Sequence, residues 1–171
     1  SAETVTNDAL RCGVFRWSKD EPNSIATYSE PTSARKLMPC FDEPLFRASY
    51  QVTLTHPAGV DALSCTEAEE ELSQTEVSRT VRFEQTVPMP TYLIGFVTGK
   101  FRTQQTETKR GVICRVLFST KYAESEGLFA LDLISQAVQF YEDYFQYPLP
   151  MKKLDVVAVD EYPVLGMEHL G

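Results

Sequence analysis

The sequence has few of the residues from which metal and redox sites are usually built. It contains only two histidines and four cysteines among 171 residues. None of the cysteines belongs to a Cys-x-x-Cys pair, so neither a zinc ribbon nor a dithiol redox site is predicted. An even number of cysteines allows disulfides, but their wide, irregular spacing favours free thiols that are buried like small apolar side chains.

Other absences concern location and partners. No apolar run approaches the roughly 20 residues that span a bilayer, so no membrane segment is predicted. The two asparagines, Asn7 and Asn23, do not begin glycosylation acceptors, which favours an intracellular location over an extracellular one. The net charge of −8 argues against a nucleic-acid partner, because binding to phosphates requires clustered lysines and arginines.

Apolar residues that alternate with polar ones predict antiparallel strands through most of the first 118 residues. The predicted strands share this alternation or a continuous apolar run, and they cover 13–17, 50–54, 77–83, 92–97 and 112–118. The acidic run at 67–71 is predicted to be a solvated loop or hairpin tip. The fold class that this pattern indicates is mainly β and sandwich-like.

The apolar period changes after residue 119. Apolar residues recur at helical spacing over 126–145, and two prolines end the pattern. A buried strand is predicted at 154–159. The aromatic residues near the end of the helix are expected in the core, namely Phe140, Tyr141, Tyr144, Phe145 and Tyr147.

One pair of residues and one single histidine could be mistaken for catalytic or metal-binding groups. Asp42 and Glu43 are adjacent carboxylates, which face apart in extended chain, so capping and turn roles are predicted for them. His56 precedes a proline and is interpreted as a turn residue without a metal role.

Four motifs occur in order along the chain. They are EPTSARKLMPCFDEP at 30–44, VPMPTYLIGF at 87–96, YPLP at 147–150 with KLD at 153–155, and GMEHLG at 166–171. In sequence and spacing these motifs resemble those of the gluzincin zinc aminopeptidases, the family of aminopeptidase N and the puromycin-sensitive aminopeptidase.

The resemblance implies a division into two parts. Residues 1–119 correspond to part of the N-terminal β domain, and 120–171 correspond to the first helix and strand of a thermolysin-like α/β catalytic domain. Members of the family are zinc aminopeptidases that remove N-terminal residues from peptides. Zinc is therefore the implied cofactor, but the H-E-x-x-H motif that supplies its ligands and the general base is absent. We expect this chain alone to be inactive, with no catalytic or metal-binding residue of its own.

The resemblance also implies five substrate-binding residues. Glu168 and Glu30 match carboxylates that bind the free α-ammonium of the substrate peptide. The backbone at Gly166 and Met167 matches positions that contact the extended substrate, and Tyr28 matches a position that lines the first side-chain pocket. An ammonium offers three hydrogen-bond donors, which two carboxylates can accept.

Several positions depart from the pattern of the family. Leu165 stands in place of a glycine and adds bulk, and His169 stands in place of an asparagine. Gly95 replaces an alanine, a change that is expected to be harmless. The remaining departures are Tyr28 for glutamine, Ser33 for aspartate and Leu170 for an aromatic residue. An alternative interpretation is therefore an inactive homologue that binds peptides or proteins through the same cleft, and a plain β-sandwich interaction module is a third.

The predicted partners follow from these interpretations. The substrate is the N-terminus of a peptide. A catalytic-domain helix and strand without the rest of that domain leave apolar side chains such as Leu128, Leu131 and Val138 uncovered. Exposed apolar patches of this kind commonly mark interfaces. We therefore expect the chain to associate with itself or with a chain that carries the remaining catalytic domain.

Overall fold

A computed structural model describes residues 12–171 of the chain. Of the described residues, the first compact unit contains 12–99 together with Asp160–Leu170, and the second unit contains Lys100–Val159 and Gly171. Within the described residues there are twelve β-strands, one α-helix and three short 3₁₀ helices. No helix among them has the length and apolarity needed to cross a membrane.

The first unit consists of antiparallel β-structure. Its strands are β1 (Gly13–Arg16), β2 (Ile25–Tyr28), β3 (Arg47–Ala48), β4 (Thr53–Pro57), β5 (Asp61–Ser64), β6 (Ala68–Gln74), β7 (Ser78–Phe83), β8 (Met89–Pro90) and β9 (Phe96–Gly99). They form sheets in the orders β1-β2-β9-β5, β4-β7-β6 and β3-β8. Two short 3₁₀ helices, Ala34–Lys36 and Thr91–Leu93, connect them.

The second unit contains a helix and three strands. The strands are β10 (Phe101–Glu107), β11 (Ile113–Ser119) and β12 (Lys153–Val157), and the helix α1 (Leu128–Phe145) follows a 3₁₀ turn at Glu124–Gly127. β10 pairs antiparallel with β11, whereas β12 pairs parallel with β11. Parallel neighbours need a crossover connection, which α1 provides.

The predicted fold class, mainly antiparallel β followed by a helix and a strand, is confirmed. The predicted domain division after residue 119 concerns the domains of the family and stays a prediction.

The core of the first unit includes a cluster of Cys65, Met89 and Ile94, which are almost completely buried. Half-buried apolar side chains that pack against this cluster include Leu170, the penultimate residue of the chain. The fourth motif is therefore attached to the core of the β unit by a side chain of its own.

The core of the second unit lies between α1 and the sheet. Val138 is buried against Val112 and Cys114, and Leu131 and Ile134 pack beside it. These helical residues recur at intervals of three and four, so they share one face of α1. The expectation that Leu131 and Val138 are uncovered is therefore wrong, whereas Leu128 is 56% exposed.

The expectation that the aromatic side chains around the end of α1 form core is also wrong. All five are between 55% and 70% exposed: Phe140, Tyr141, Tyr144, Phe145 and Tyr147. Phe140 stacks on Tyr144 with ring centroids 5.8 Å apart, so these rings contact each other instead of the sheet. The face of α1 that contains Val138 packs on the strands. The five aromatic side chains lie away from that packed face and remain exposed to solvent.

The acidic run is a strand and not a loop. It forms most of β6, which pairs with β7. Its carboxylates form ion pairs across the two strands, between Glu71 and Arg79 and from Arg82 to Glu69 (3.0 Å) and Glu70 (2.6 Å). Cross-strand pairs of opposite charge stabilise a sheet, which explains a strand of low apolar content.

Two further predictions are corrected. The expected strand at 92–97 begins in the 3₁₀ helix Thr91–Leu93, and only its end forms β9. His56 lies inside strand β4 rather than in a turn.

The four cysteines are free thiols. Cys65 and Cys114 are buried, as predicted, whereas Cys12 and Cys40 are half-buried.

Candidate functional site

Tyr28 is the last residue of strand β2, and Glu30 lies two residues beyond it, in a turn. Thr27 and Ser29 are buried, whereas Tyr28 and Glu30 are half-buried. The phenol of Tyr28 and the carboxylate of Glu30 are therefore both partly accessible to solvent at this end of the strand.

The segment 160–171, which contains the fourth motif, reaches the same strand through Tyr162. The Tyr162 hydroxyl donates a hydrogen bond to the Thr27 carbonyl oxygen at 2.8 Å. Its ring packs edge-on against Tyr28 and Phe15, with centroid distances of 5.8 and 5.5 Å. Burial, followed by the charges of Tyr28 and Glu30, raises the pKa of Tyr162 well above its ordinary value, so its hydroxyl remains a donor.

His169 forms the second attachment of this segment. Its Nε2 atom lies 3.2 Å from the Thr27 carbonyl oxygen and 3.4 Å from the Tyr162 hydroxyl, and its Nδ1 atom lies 3.3 Å from the Leu93 carbonyl oxygen. Burial lowers the pKa of His169 below its ordinary value, although both carbonyls and the charges of Glu168 and Glu30 act in the opposite direction.

Glu30 and Glu168 act electrostatically on the same side chains. After burial, which contributes most, the charges of Glu30, Cys12 and Glu168 raise the pKa of Tyr28. The same two carboxylates act on the imidazole of His169. Two glutamates that are 138 positions apart in sequence therefore share one electrostatic environment.

The backbone around Gly166 is open. A Cβ atom added to Gly166 would meet no other atom within 4 Å, so the structure leaves free space beside it. Leu165 is fully exposed, so its bulk is directed to solvent. Met167 is half-buried.

Two contributions to this site were not predicted from the sequence. Tyr162 lies outside the four motifs, and its hydrogen bond to β2 is a contact between distant segments. Gly95 was expected to be a harmless change, yet a Cβ atom there would lie 2.6 Å from Cγ of His169. Gly95 and His169 both depart from the family pattern, Gly95 with a smaller side chain and His169 with a larger one. This paired departure is the sequence signal that could have revealed their contact.

The arrangement is suited to binding a cation. Glu30 is half-buried and Glu168 is exposed, and carboxylates accept hydrogen bonds from an ammonium group. The neighbouring groups are the phenols of Tyr28 and Tyr162 and the imidazole of His169. The Tyr162 hydroxyl and the imidazole contact backbone carbonyl oxygens. None of these is positioned as an activated nucleophile, so the chemistry that this set supports is recognition.

The described residues do not fit a zinc ion. No group of three or more potential ligands converges within residues 12–171. Nδ1 of His56 lies 3.1 Å from the Pro57 carbonyl oxygen, and both ring nitrogens of His169 face carbonyl oxygens. Zinc ligation by histidine needs a free lone pair on an imidazole nitrogen. A ring nitrogen that faces a carbonyl oxygen is favoured as a protonated hydrogen-bond donor, which has no free lone pair.

Comparison with known proteins finds one matching family model and several relatives that cover most of this chain. Residues 8–93 match the family model of the Peptidase M1 N-terminal domain. The thyrotropin-releasing hormone-degrading ectoenzyme of Rattus norvegicus is 36% identical over 147 residues, which cover 85% of this chain and 14% of that protein. Aminopeptidase M1-C of Oryza sativa subsp. japonica is 34% identical over 169 residues, which cover 96% of this chain and 19% of that protein.

A third relative extends the match to nearly the whole chain. Aminopeptidase M1 of Arabidopsis thaliana is 30% identical over 171 residues, which cover 98% of this chain and 19% of that protein. The chain thus spans less than a fifth of the length of these curated relatives. Because the domain model matches half of the sequence and the fold is the antiparallel β-structure expected of it, the chain belongs to the peptidase M1 family.

Proposed function

We propose that this chain forms the part of an M1 aminopeptidase that binds the free N-terminal ammonium of a peptide. Glu30 and Glu168 accept hydrogen bonds from the ammonium group. The observation that carries the proposal is that His169, the residue after Glu168, lies with its Nε2 atom 3.2 Å from the carbonyl oxygen of Thr27, three residues before Glu30. Charge-assisted hydrogen bonds of this kind are roughly twice as strong as neutral ones.

The remaining predicted site residues bind the rest of the substrate. The open space beside Gly166 supports an approach of the peptide to the backbone at Gly166 and Met167. An extended peptide can then form main-chain hydrogen bonds, as in strand addition. Tyr28 lines the pocket for the first side chain, and its half-exposed ring supports this role.

This arrangement selects peptides by their free amine. A peptide whose amine is acylated carries no positive charge and leaves two carboxylates without a partner. Desolvation of unpaired charges is unfavourable, so an acylated peptide binds poorly. Cleavage limited to the N-terminal residue is the activity that such recognition supports.

The hydrolysis itself belongs to the intact protein. An H-E-x-x-H segment, as the family has it, would hold a zinc ion, which would supply polarisation of the peptide carbonyl and activation of water. The 171 residues of this chain bind and orient the amine, and they do not hydrolyse peptides alone. In the natural full-length product we expect one zinc per chain and turnover of aminoacyl fluorogenic amides, with turnover abolished by Glu168→Ala. Absence of both zinc and turnover would favour the inactive, peptide-binding homologue.

The binding proposal is tested on this chain by titration with L-alaninamide, using N-acetyl-L-alaninamide as the control without an amine. Calorimetry should detect binding of the first compound only. Glu30→Gln and Glu168→Gln should each weaken binding about tenfold, since a hydrogen bond to a charged group contributes about 1.5 kcal/mol. Glu76→Gln removes the same charge from an exposed position between β6 and β7 and should leave the affinity unchanged.

We also propose that the outer face of α1 is an interface between copies of this chain. Phe129, Leu133, Phe140 and Tyr144 recur at helical spacing on this face and are 57–78% exposed. Monomeric proteins rarely expose contiguous apolar patches of this kind. The outer face is therefore the surface from which the predicted self-association would arise.

A further inference from the structure

The imidazole of His169 occupies the space directly above Gly95. A Cβ atom at Gly95 would lie 2.6 Å from Cγ and 2.8 Å from Cδ2 and Nδ1 of the ring. Non-bonded carbon atoms are normally separated by about 3.5 Å or more, so an alanine does not fit while the ring remains. Gly95 is not among the glycines with positive φ, so the ring, and not the backbone conformation, requires a glycine at this position.

The ring joins the fourth motif to two other stretches of the first unit. Its Nε2 atom contacts the Thr27 carbonyl, one residue before Tyr28, and its Nδ1 atom contacts the Leu93 carbonyl, two residues before Gly95. An imidazole donates from one ring nitrogen when neutral and from both when charged. In either state the ring therefore has an acceptor within reach on the neighbouring backbone.

These contacts bear directly on Glu168, the residue before His169. The Thr27 carbonyl lies in strand β2, three residues before Glu30, so the ring attaches the residue after Glu168 to the segment that leads to Glu30. We infer that His169 is a positioning residue that holds Glu168 beside Glu30, and that Gly95 is the complementary residue that admits its ring. This inference rests on the proposed amine-binding function.

The inference explains two departures from the family pattern as one compensated change. In the motif pattern that this chain resembles, alanine stands at the position of Gly95 and asparagine at the position of His169. That pattern combines the methyl group of alanine with the shorter amide side chain of asparagine. This chain combines a glycine, which has no side chain, with the longer imidazole side chain of histidine. The two residues should therefore depend on each other in any assay that detects the position of Glu168.

The first test is a double-mutant cycle on this chain, with binding of L-alaninamide as the measurement. His169→Asn should weaken binding about fivefold, the factor that corresponds to one hydrogen bond of about 1 kcal/mol. Gly95→Ala should weaken it at least as much. The double variant should bind more tightly than the product of the two single effects predicts. Independent effects, or no loss with His169→Asn, would overturn the inference.

The second test separates positioning from general stability. In a Glu168→Gln background, His169→Asn should cause no further loss of L-alaninamide affinity, while it still lowers the midpoint of urea unfolding. His56→Asn is the control, because it changes a buried histidine in strand β4 and should lower the midpoint without changing the affinity. Equal losses of affinity in both backgrounds would exclude an action through Glu168.

The outcomes distinguish this inference from the proposed function. If the unmodified chain binds L-alaninamide no better than the N-acetyl control, the proposed function fails and the inference fails with it. If the unmodified chain binds and His169→Asn binds equally well, only the inference fails. If Gly95→Ala does not fold, the Glu168→Gln experiment with His169→Asn decides alone.

Discussion

Asp42 is held by Arg35 through both its backbone and its side chain. The Arg35 amide and Nε atom each donate to Oδ2 of Asp42 at 2.9 Å, and Thr91 donates to Oδ1 at 3.0 Å. Asp42 is buried, whereas the Arg35 side chain is 59% exposed. This carboxylate of the first motif therefore ties a loop to the 3₁₀ helix Thr91–Leu93, which confirms the structural role expected of it.

Replacement of Asp42 should destabilise the first unit. Asp42→Asn removes a charged acceptor from three hydrogen bonds, and we expect a loss of about 2–3 kcal/mol in the free energy of unfolding. Urea denaturation measures this loss. Glu43→Gln, at the exposed neighbouring position, should change the free energy by less than about 0.5 kcal/mol; comparable losses for the two variants would contradict the role of Asp42.

The same carboxylate gives a pH dependence. Burial raises the pKa of Asp42, but the hydrogen bonds from Arg35 and Thr91 together hold it below its ordinary value. A group with a lowered folded pKa stabilises the fold above its unfolded pKa of about 3.9 and loses this contribution as the pH falls through the folded pKa. The difference in stability between the wild-type chain and Asp42→Asn should therefore be constant near pH 7 and shrink in acid. A difference that grows in acid would be inconsistent with this sign.

A buried ion cluster should stabilise the second unit. Asp155 accepts two hydrogen bonds from Arg115, at 2.6 and 2.7 Å, and lies 3.0 Å from Nζ of Lys153, which is 1% exposed. Removal of one partner from such a cluster leaves buried charge, so Asp155→Ala should cost about 3–5 kcal/mol in unfolding experiments. Glu70→Ala breaks an exposed pair with Arg82 and should cost less than about 1 kcal/mol. Similar costs for the two variants would show that burial of the cluster has no effect.

The outer face of α1 gives a prediction about self-association. We expect light scattering to detect dimers or larger species of this chain at high concentration. Phe140→Lys with Tyr144→Lys should reduce this association, because two charges would have to be desolvated at the interface. Glu76→Lys adds a similar charge elsewhere and should have no effect. A monodisperse monomer at every concentration would contradict the proposed interface.

Several elements of the fold could be predicted from the sequence because their signals are local. The apolar period predicted α1, a short apolar run predicted β12, and alternation predicted most of β11. The period does not reveal which face of a helix packs when two faces are apolar. This is why the aromatic residues from Phe140 to Tyr147 were misplaced, whereas the less bulky Val138 lies in the core.

Other features depend on contacts between distant residues. The acidic strand β6 is stable because Arg79 and Arg82 lie opposite it, which no pattern within β6 indicates. Likewise, the His169 ring lies where a side chain at Gly95, 74 positions earlier in the sequence, would clash with it. Resemblance to the family predicts roles for Glu30 and Glu168, whereas the contact of His169 with the Thr27 carbonyl, which links their two segments, is visible only in the folded chain.

The central claim is that an ammonium group binds at Glu30 and Glu168, and the titration of His169 by NMR tests it most directly. The chain has only two histidines, so its imidazole signals are few. Burial lowers the pKa of His169, and the charges of Glu168 and Glu30 oppose this effect, so a bound positive charge should offset their contribution. We therefore predict that L-alaninamide lowers the pKa of His169 further, whereas N-acetyl-L-alaninamide leaves it unchanged. Binding of L-alaninamide without a change in the pKa of His169 would contradict this account.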